Sequence, residues 1–201
     1  MRKVIVSMNM TLDGFLSGPD CELDWHFQCW DQDMAMDAAE QLGRTDTILL
    51  GRVTYQAMAG YWSAQAVSLS APRDDSDFAD MMNRHAKIVF SRTLTAARWN
   101  NSRLAKRGVA AEIRWLKRQP GRDMILYGSG RLVSSLLRTG LVDEYRIWVH
   151  PVVLGRGKLF FGSLRSRIRL ELFRQQIFRS GVVLLYYKPL RKDLRMGLPG
   201  I

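Results

Sequence analysis

Three short segments combine glycine, hydroxyl and arginine residues in a way suited to holding anions. Gly51-Arg52-Val53-Thr54 follows an apolar run at 47–50 and leads into a stretch of helical character. Gly128-Ser129-Gly130-Arg131 follows a second apolar run at 124–127, and the next residues, Leu132, Val133, Leu136 and Leu137, form one apolar helix face that closes at Gly140. Ser91-Arg92-Thr93 ends a third apolar stretch, 87–91. Glycine at a strand-to-helix junction lets a phosphate approach the backbone, and the first N–H groups of the helix point at it. Two such junctions fit the two phosphates of a dinucleotide. An arginine among hydroxyls at the third fits an adenosine 2′-phosphate, which favours NADPH over NADH. The plainer alternative, at each junction, is a glycine that only ends a strand and an arginine in solvent.

Hydride addition to a C=O or C=N group also needs a proton donor within hydrogen-bond reach. Asp13, Asp24 and Tyr55 lie in segments able to face a cleft, and Asp13 is the preferred catalytic residue. Its alternative role is a turn aspartate that caps the backbone at Asp13-Gly14. Asp24-Trp25-His26-Phe27 with Trp30 reads as a lid that stacks on a planar ring, or as tryptophans filling the edge of the core. His150 shares a strand face with Arg146 and Trp148, and we assign it no role. Cys21 and Cys29 lack Cys-x-x-Cys spacing and the histidines are scattered at 26, 85 and 150, so no metal site is expected.

The elements that must position these groups alternate along most of the chain. Residues 4–10 (VIVSMNM) predict a buried first strand followed by a turn-rich loop, and 33–43 predict a helix. Strand 47–50 passes through Gly51 into a helix, 63–76 are small and polar, and 77–85 predict a helix before strand 87–91. A short helix is expected at 102–107, a strand at 112–116 and a strand at 124–127 before the helix that ends at Gly140. From Asp143 onward YRIWVHPVVLG, GKLFFG, RIRLELF and GVVLLYYK read as strands joined by turns. Within 165–173 the charged residues 165, 167, 169 and 171 alternate with apolar 168, 170 and 172, the period of a half-exposed strand. The fold class is α/β: a mixed, mainly parallel central sheet flanked by helices, with an antiparallel C-terminal part. Residues 1–189 form a single domain and 190–201 a basic C-terminal tail.

The 201 residues suit one domain with a full core. The net charge is +11, which fits an anionic partner. The basic residues are spread along the chain without a dense block, and no nucleic-acid-binding motif is present, so nucleic acid is not the expected partner. No run approaches the roughly 18 apolar residues of a membrane span. Asp13 interrupts the N-terminus before a secretory apolar region could finish, so a cytoplasmic location is expected.

The segments VSMNMTLDGFLSG, TILLGRVTY, KIVFSRTL and ILYGSGRLVSSLLRTGLVDEYRIWVHPVVLGRGKLFF, with the closing strand before Lys188, resemble a reductase family. It is the family that includes the C-terminal domain of the bifunctional riboflavin-biosynthesis deaminase/reductase, within the dihydrofolate-reductase-like fold. The resemblance covers about residues 2–188. It implies an NADPH site at Gly51, Arg52 and Thr54, at Ser91 and Arg92, and at Gly128, Ser129, Gly130, Arg131 and Leu132. It also implies that Asp13, Gly14 and the 151–157 turn, with Leu154 and Gly155, border nicotinamide and substrate, and that the protein is a homodimer. The expected reaction is hydride transfer to a small polar heterocycle or sugar derivative, such as a phosphoribosylaminopyrimidine-like compound. The alternative is a catalytically weak nucleotide-binding or regulatory protein on the same fold. The zinc motif of the deaminase half is absent. A folate reductase would set a carboxylate of its first helix against the pterin, and Asp31, Asp33 and Asp37 match that only loosely.

Overall fold

Apolar runs without alternation belong to strands buried on both faces, and the first of them shows the rule. In a computed structural model, which describes residues 1–65, 73–162 and 167–190, β1 (Val4–Thr11) is buried from Val4 to Met8. Then follow β2 (Phe15–Ser17), a one-turn α1 (Asp24–Phe27), α2 (Gln32–Gly43), β3 (Thr45–Gly51) and α3 (Arg52–Gln65). Next come α4 (Arg73–Arg84), β4 (Ala86–Phe90), β5 (Ser102–Leu104), α5 (Val109–Lys117), β6 (Asp123–Gly128) and α6 (Gly130–Leu137). The chain continues with β7 (Glu144–His150), β8 (Lys158–Leu159), β9 (Leu170–Ile177) and β10 (Val183–Pro189).

The eight-stranded sheet has the order β5-β4-β3-β6-β1-β7-β10-β9. Its first six strands are mutually parallel, and β10 and β9 close it by antiparallel pairing. This is the mixed sheet expected. Alternate residues of β3 serve the two sides: Leu49 packs with Ile113, Leu132 and Leu136, whereas Ile48 and Leu50 pack with Leu42, Tyr55 and Met82.

Two expected elements change type. Residues 112–116 lie in α5, because Val109, Ile113 and Leu116 share a helical face and Glu112, which is fully buried, is paired with Arg103 and Arg107. The short helix expected at 102–107 is instead β5, a three-residue edge strand held parallel to β4. GKLFFG supplies only β8, which pairs with β2 outside the main sheet. The alternating strand starts later than expected, at Leu170, and Arg165 lies outside the described residues, as do 66–72 of the polar stretch and the tail from 191 on.

Candidate functional site

Parallel pairing brings the carboxyl ends of six adjacent strands to one edge of the sheet, where open α/β sheets bind ligands. In spatial order, β4 delivers Ser91 and Arg92, β3 delivers Gly51 and Arg52, and β6 delivers Gly128, Ser129 and Gly130. β1 then delivers Asp13 and Gly14, and β7 delivers His150 and the turn through Leu154 and Gly155. The register aligns Gly51 with Phe90, Leu50 with Gly128, and Thr11 with His150. Segments far apart in sequence therefore form one continuous rim.

The glycines at this rim are needed for close approach. A methyl group on Gly51 would lie 2.6 Å from Ser129 Oγ and 3.1 Å from Ser129 N. One on Gly128, whose φ is +137°, would lie 2.8 Å from Thr54 Oγ1, and one on Gly130 would lie 2.7 Å from Leu16 Cδ1. The end of β3 thus packs closely against Ser129 at the start of α6, the end of β6 against Thr54 in the first turn of α3, and both helix N-termini lie on this rim. Helix N-termini beside glycine strand ends have the chemistry to hold phosphate groups. Arg52, Arg92 and Arg131, which follow β3, β4 and β6, are exposed, and Arg52 Nη1 donates to Gln56 Oε1. Ser91 Oγ accepts from the Thr93 and Leu94 amides at 3.1 and 2.9 Å, which shapes the turn that presents Arg92. Leu132 departs from its expected place: its side chain is buried in the core and its amide donates to Ser129 O, so it anchors α6 instead of facing a ligand.

Asp13 lies on the same rim with its carboxylate fully engaged. It accepts from Thr11 Oγ1 at 2.6 Å, Leu154 N at 3.1 Å and Gly155 N at 2.7 Å. The Thr11 hydroxyl, followed by the Gly155 and Leu154 amides, holds its pKa below the ordinary carboxylate value. A carboxylate stabilised in this way donates a proton poorly. Asp13 clasps the loop after β1 to the turn after β7, in addition to its local contact with Thr11. Gly14, at φ +88°, turns the chain toward β2. The other acids considered fare no better. Tyr55 OH accepts from Trp99 N beneath α3, and Asp24 is an exposed residue of α1.

Of the α2 carboxylates, Asp31 caps the helix by accepting from Met34 N, and Asp33 is exposed. Asp37 is buried toward the sheet, where it accepts from Gln41 Nε2. Sequence reasoning missed Asn9, although Ser7, Asn9 and Thr11 alternate with apolar residues along β1 and mark a polar stripe. It also undervalued His150. The His150 ring is fully buried, its Nε2 lies 3.0 Å from Asn9 Oδ1, and Trp25 stands edge-on against it at 5.1 Å between centroids. Among the described residues no group of His, Cys, Asp or Glu could hold a metal ion, and no helix is long and apolar enough to cross a membrane.

Burial, and then the neighbouring His26, lower the His150 pKa from 6.5 to about 4. The folded state therefore binds fewer protons than the unfolded chain below pH 6.5. Stability is complete above that pH and falls as pH drops toward 4, by up to about 3 kcal/mol from this one group. Chemical denaturation between pH 7 and 4 checks this: His150→Phe should flatten that part of the profile, and an unchanged slope would remove His150 as its cause.

A mixed sheet closed by antiparallel strands, with a glycine-lined double helix terminus at its parallel edge, defines the class of dihydrofolate-reductase-like domains. The chain belongs to the RibD C-terminal domain family, whose model matches residues 2–184. It is 34% identical over 186 residues to the uncharacterized protein YyaP of Bacillus subtilis (strain 168), covering 92% of this chain and 94% of that one. Its fold matches a putative riboflavin biosynthesis protein from Shewanella sp. PV-4, with TM-score 0.74, 20% identity, and 94% and 99% of the two chains covered. It also matches dihydrofolate reductase from Enterococcus faecalis, solved with NADP(H) and RAB-propyl, with TM-score 0.57, 12% identity, and 93% and 96% covered.

Proposed function

We propose that the chain is a cytoplasmic NADPH-dependent reductase of a small polar heterocycle or sugar derivative, with a phosphoribosylaminopyrimidine-like compound as the most concrete substrate class, working as a homodimer. The observation that carries this reading is the side-by-side placement of three anion-type junctions on adjacent strands β4, β3 and β6. In this reading Gly51, Gly128, Ser129 and Gly130, with Arg52, Thr54 and Arg131, hold the pyrophosphate at the helix N-termini, and Ser91 with Arg92 takes the 2′-phosphate. The bound nicotinamide supplies hydride. The clasp of Asp13 on Leu154 and Gly155 orients the turn beside the reacting ring, and the basic protein draws in anionic ligands.

Titration with NADPH and with NADH, followed by tryptophan fluorescence and thermal shift, tests this reading. Arg92→Ala should weaken NADPH by about 10- to 100-fold, the worth of a charge-assisted hydrogen bond, and leave NADH unchanged. Equal binding of the two cofactors by the unchanged protein removes Arg92 from the reading. No binding of either at millimolar concentration ends it. The engagement of Asp13 favours a second reading, a nucleotide-binding protein with weak turnover, which predicts tight NADPH without oxidation by any substrate screened.

A further inference from the structure

β2 and β8 form a two-stranded sheet of their own, in which Ser17 stands opposite Lys158. Gly157 lets the strands come together, since a methyl group there would lie 2.2 Å from Ser17 O. After Ser17 the chain folds straight back: Gly18 N donates to Glu22 O and Cys21 N to Gly18 O, both at 3.2 Å. That turn sets Cys21 Sγ in contact with Lys158 Nζ, 137 positions further along the chain. Cys21 is a free thiol, and both side chains are exposed. Cys29, the other cysteine, is half-buried against the cluster of Met34 and Trp148. A thiol is only a weak hydrogen-bond acceptor, so the contact adds little to stability. Its consequence is chemical, because it holds an accessible sulfur against the nitrogen of a primary amine.

We propose that Cys21 and Lys158 form a peroxide-responsive modification site that closes into a sulfenamide. The Cys21 sulfur attacks one oxygen of hydrogen peroxide. The O–O bond breaks, the sulfur gives up two electrons to become a sulfenic acid, and the peroxide is reduced to water. The unprotonated Lys158 amine then attacks the sulfenic sulfur. An S–N bond forms, the S–O bond breaks, and the amine proton leaves with the hydroxide as a second water. Two molecules of a small thiol reverse the link, restoring thiol and amine and leaving as a disulfide. An exposed sulfenic acid otherwise goes on irreversibly to sulfinic acid, and an amine already in contact outruns that step because it reacts as an intramolecular neighbour. The link joins the loop after β2 to β8, the strand that follows the turn clasped by Asp13. Oxidation thus fixes that turn at its far end, as Asp13 fixes it at Leu154 and Gly155, whatever the cleft beside it binds.

The full chain is treated with hydrogen peroxide and read by tryptic peptide mass, because the ten methionines also take up oxygen and blur the whole-protein mass. Trypsin should no longer cut after Lys158, and peptide 4–44 should appear joined to peptide 157–165 with a loss of about 2 Da. Closing so long a loop should raise the melting temperature by roughly 10 °C. Dithiothreitol should reverse both changes. Cys29→Ala should behave as the unchanged protein, which separates the link from a Cys21–Cys29 disulfide. Lys158→Arg keeps the charge and removes the primary amine. Its Cys21 should gain about 32 Da instead, as sulfinic acid that dithiothreitol does not restore. Cys21 that stays unmodified or gains oxygen without joining Lys158, a loss of about 2 Da that disappears in Cys29→Ala, or the same products from Lys158→Arg each overturn the proposal. Linked protein with an unchanged melting temperature overturns the restraint on the turn. None of these readouts depends on NADPH, so the failure of the reductase reading leaves the site standing and the converse also holds.

Discussion

Gly128→Ala is expected to lose both stability and the dinucleotide site. Gly128 has φ +137°, a conformation L side chains rarely adopt, and its new methyl group would meet Thr54 Oγ1 at 2.8 Å and Thr54 Cγ2 at 3.3 Å. The backbone effect is on the order of 1–2 kcal/mol, and overpacking against α3 adds roughly 1–3 kcal/mol. For a chain of this size that amounts to a melting temperature lower by about 5–15 °C. The clash also pushes the first turns of α3 and α6 apart, so NADPH affinity should fall by more than the arginine substitution alone achieves. Thr54→Ala in the same chain should restore part of the stability, because it removes the contact but not the backbone strain. Gly60→Ala is the control. Nothing lies within 4 Å of the added methyl in the middle of α3, and the change should stabilise by up to about 1 kcal/mol. Gly128→Ala with unchanged melting and unchanged NADPH affinity would show that the junction is neither tight nor part of a site.

What the sequence made legible was local. β1, β3, β4, β6 and β10 are continuous apolar runs, and the three junctions sit in short contiguous segments, so neighbouring residues alone carried both. The sheet order was not readable, although it is what turns three separate turns into one rim with β3 between β4 and β6. The failures have the same origin. Residues 112–116 hold enough apolar side chains for either period, and the arbiter, the burial of Glu112 against Arg103 and Arg107, is tertiary. SRL in β5 has no apolar pattern and becomes a strand only because β4 offers a free edge. The partners of Asp13, 141 and 142 residues away, left no local trace. His150 looked like an ordinary strand histidine because nothing in its neighbours shows that one ring nitrogen lacks a partner.

The clasp itself sets the second large effect. Asp13→Ala removes the acceptor for Thr11 Oγ1 and for the Leu154 and Gly155 amides, while Leu12 N still donates to Val152 O and Phe160 N to Gly14 O. The loop and the turn therefore stay near each other, but residues 154 and 155 lose their anchor. Native-state hydrogen exchange at these two amides should speed up by roughly 10- to 100-fold, with NADPH affinity changed by no more than about twofold. Turnover of a reducible substrate should drop by about a hundredfold, the usual consequence of a misplaced turn beside the reacting ring. The pH behaviour separates a clasp from an acid. A carboxyl held below its ordinary value of 3.8 stays ionised from pH 5 to 8, so protection of both amides should be flat across that range and be lost only as pH falls through the depressed pKa. A proton donor would instead give activity that declines as pH rises through its pKa. Asp13→Asn distinguishes the two again, because it keeps one accepting oxygen and presents an NH2 donor where the other stood. Exchange and turnover should both fall between those of the unchanged protein and Asp13→Ala. If Asp13→Asn instead abolishes turnover while Leu154 and Gly155 remain fully protected, the carboxyl takes part in the chemistry and the clasp is not its function.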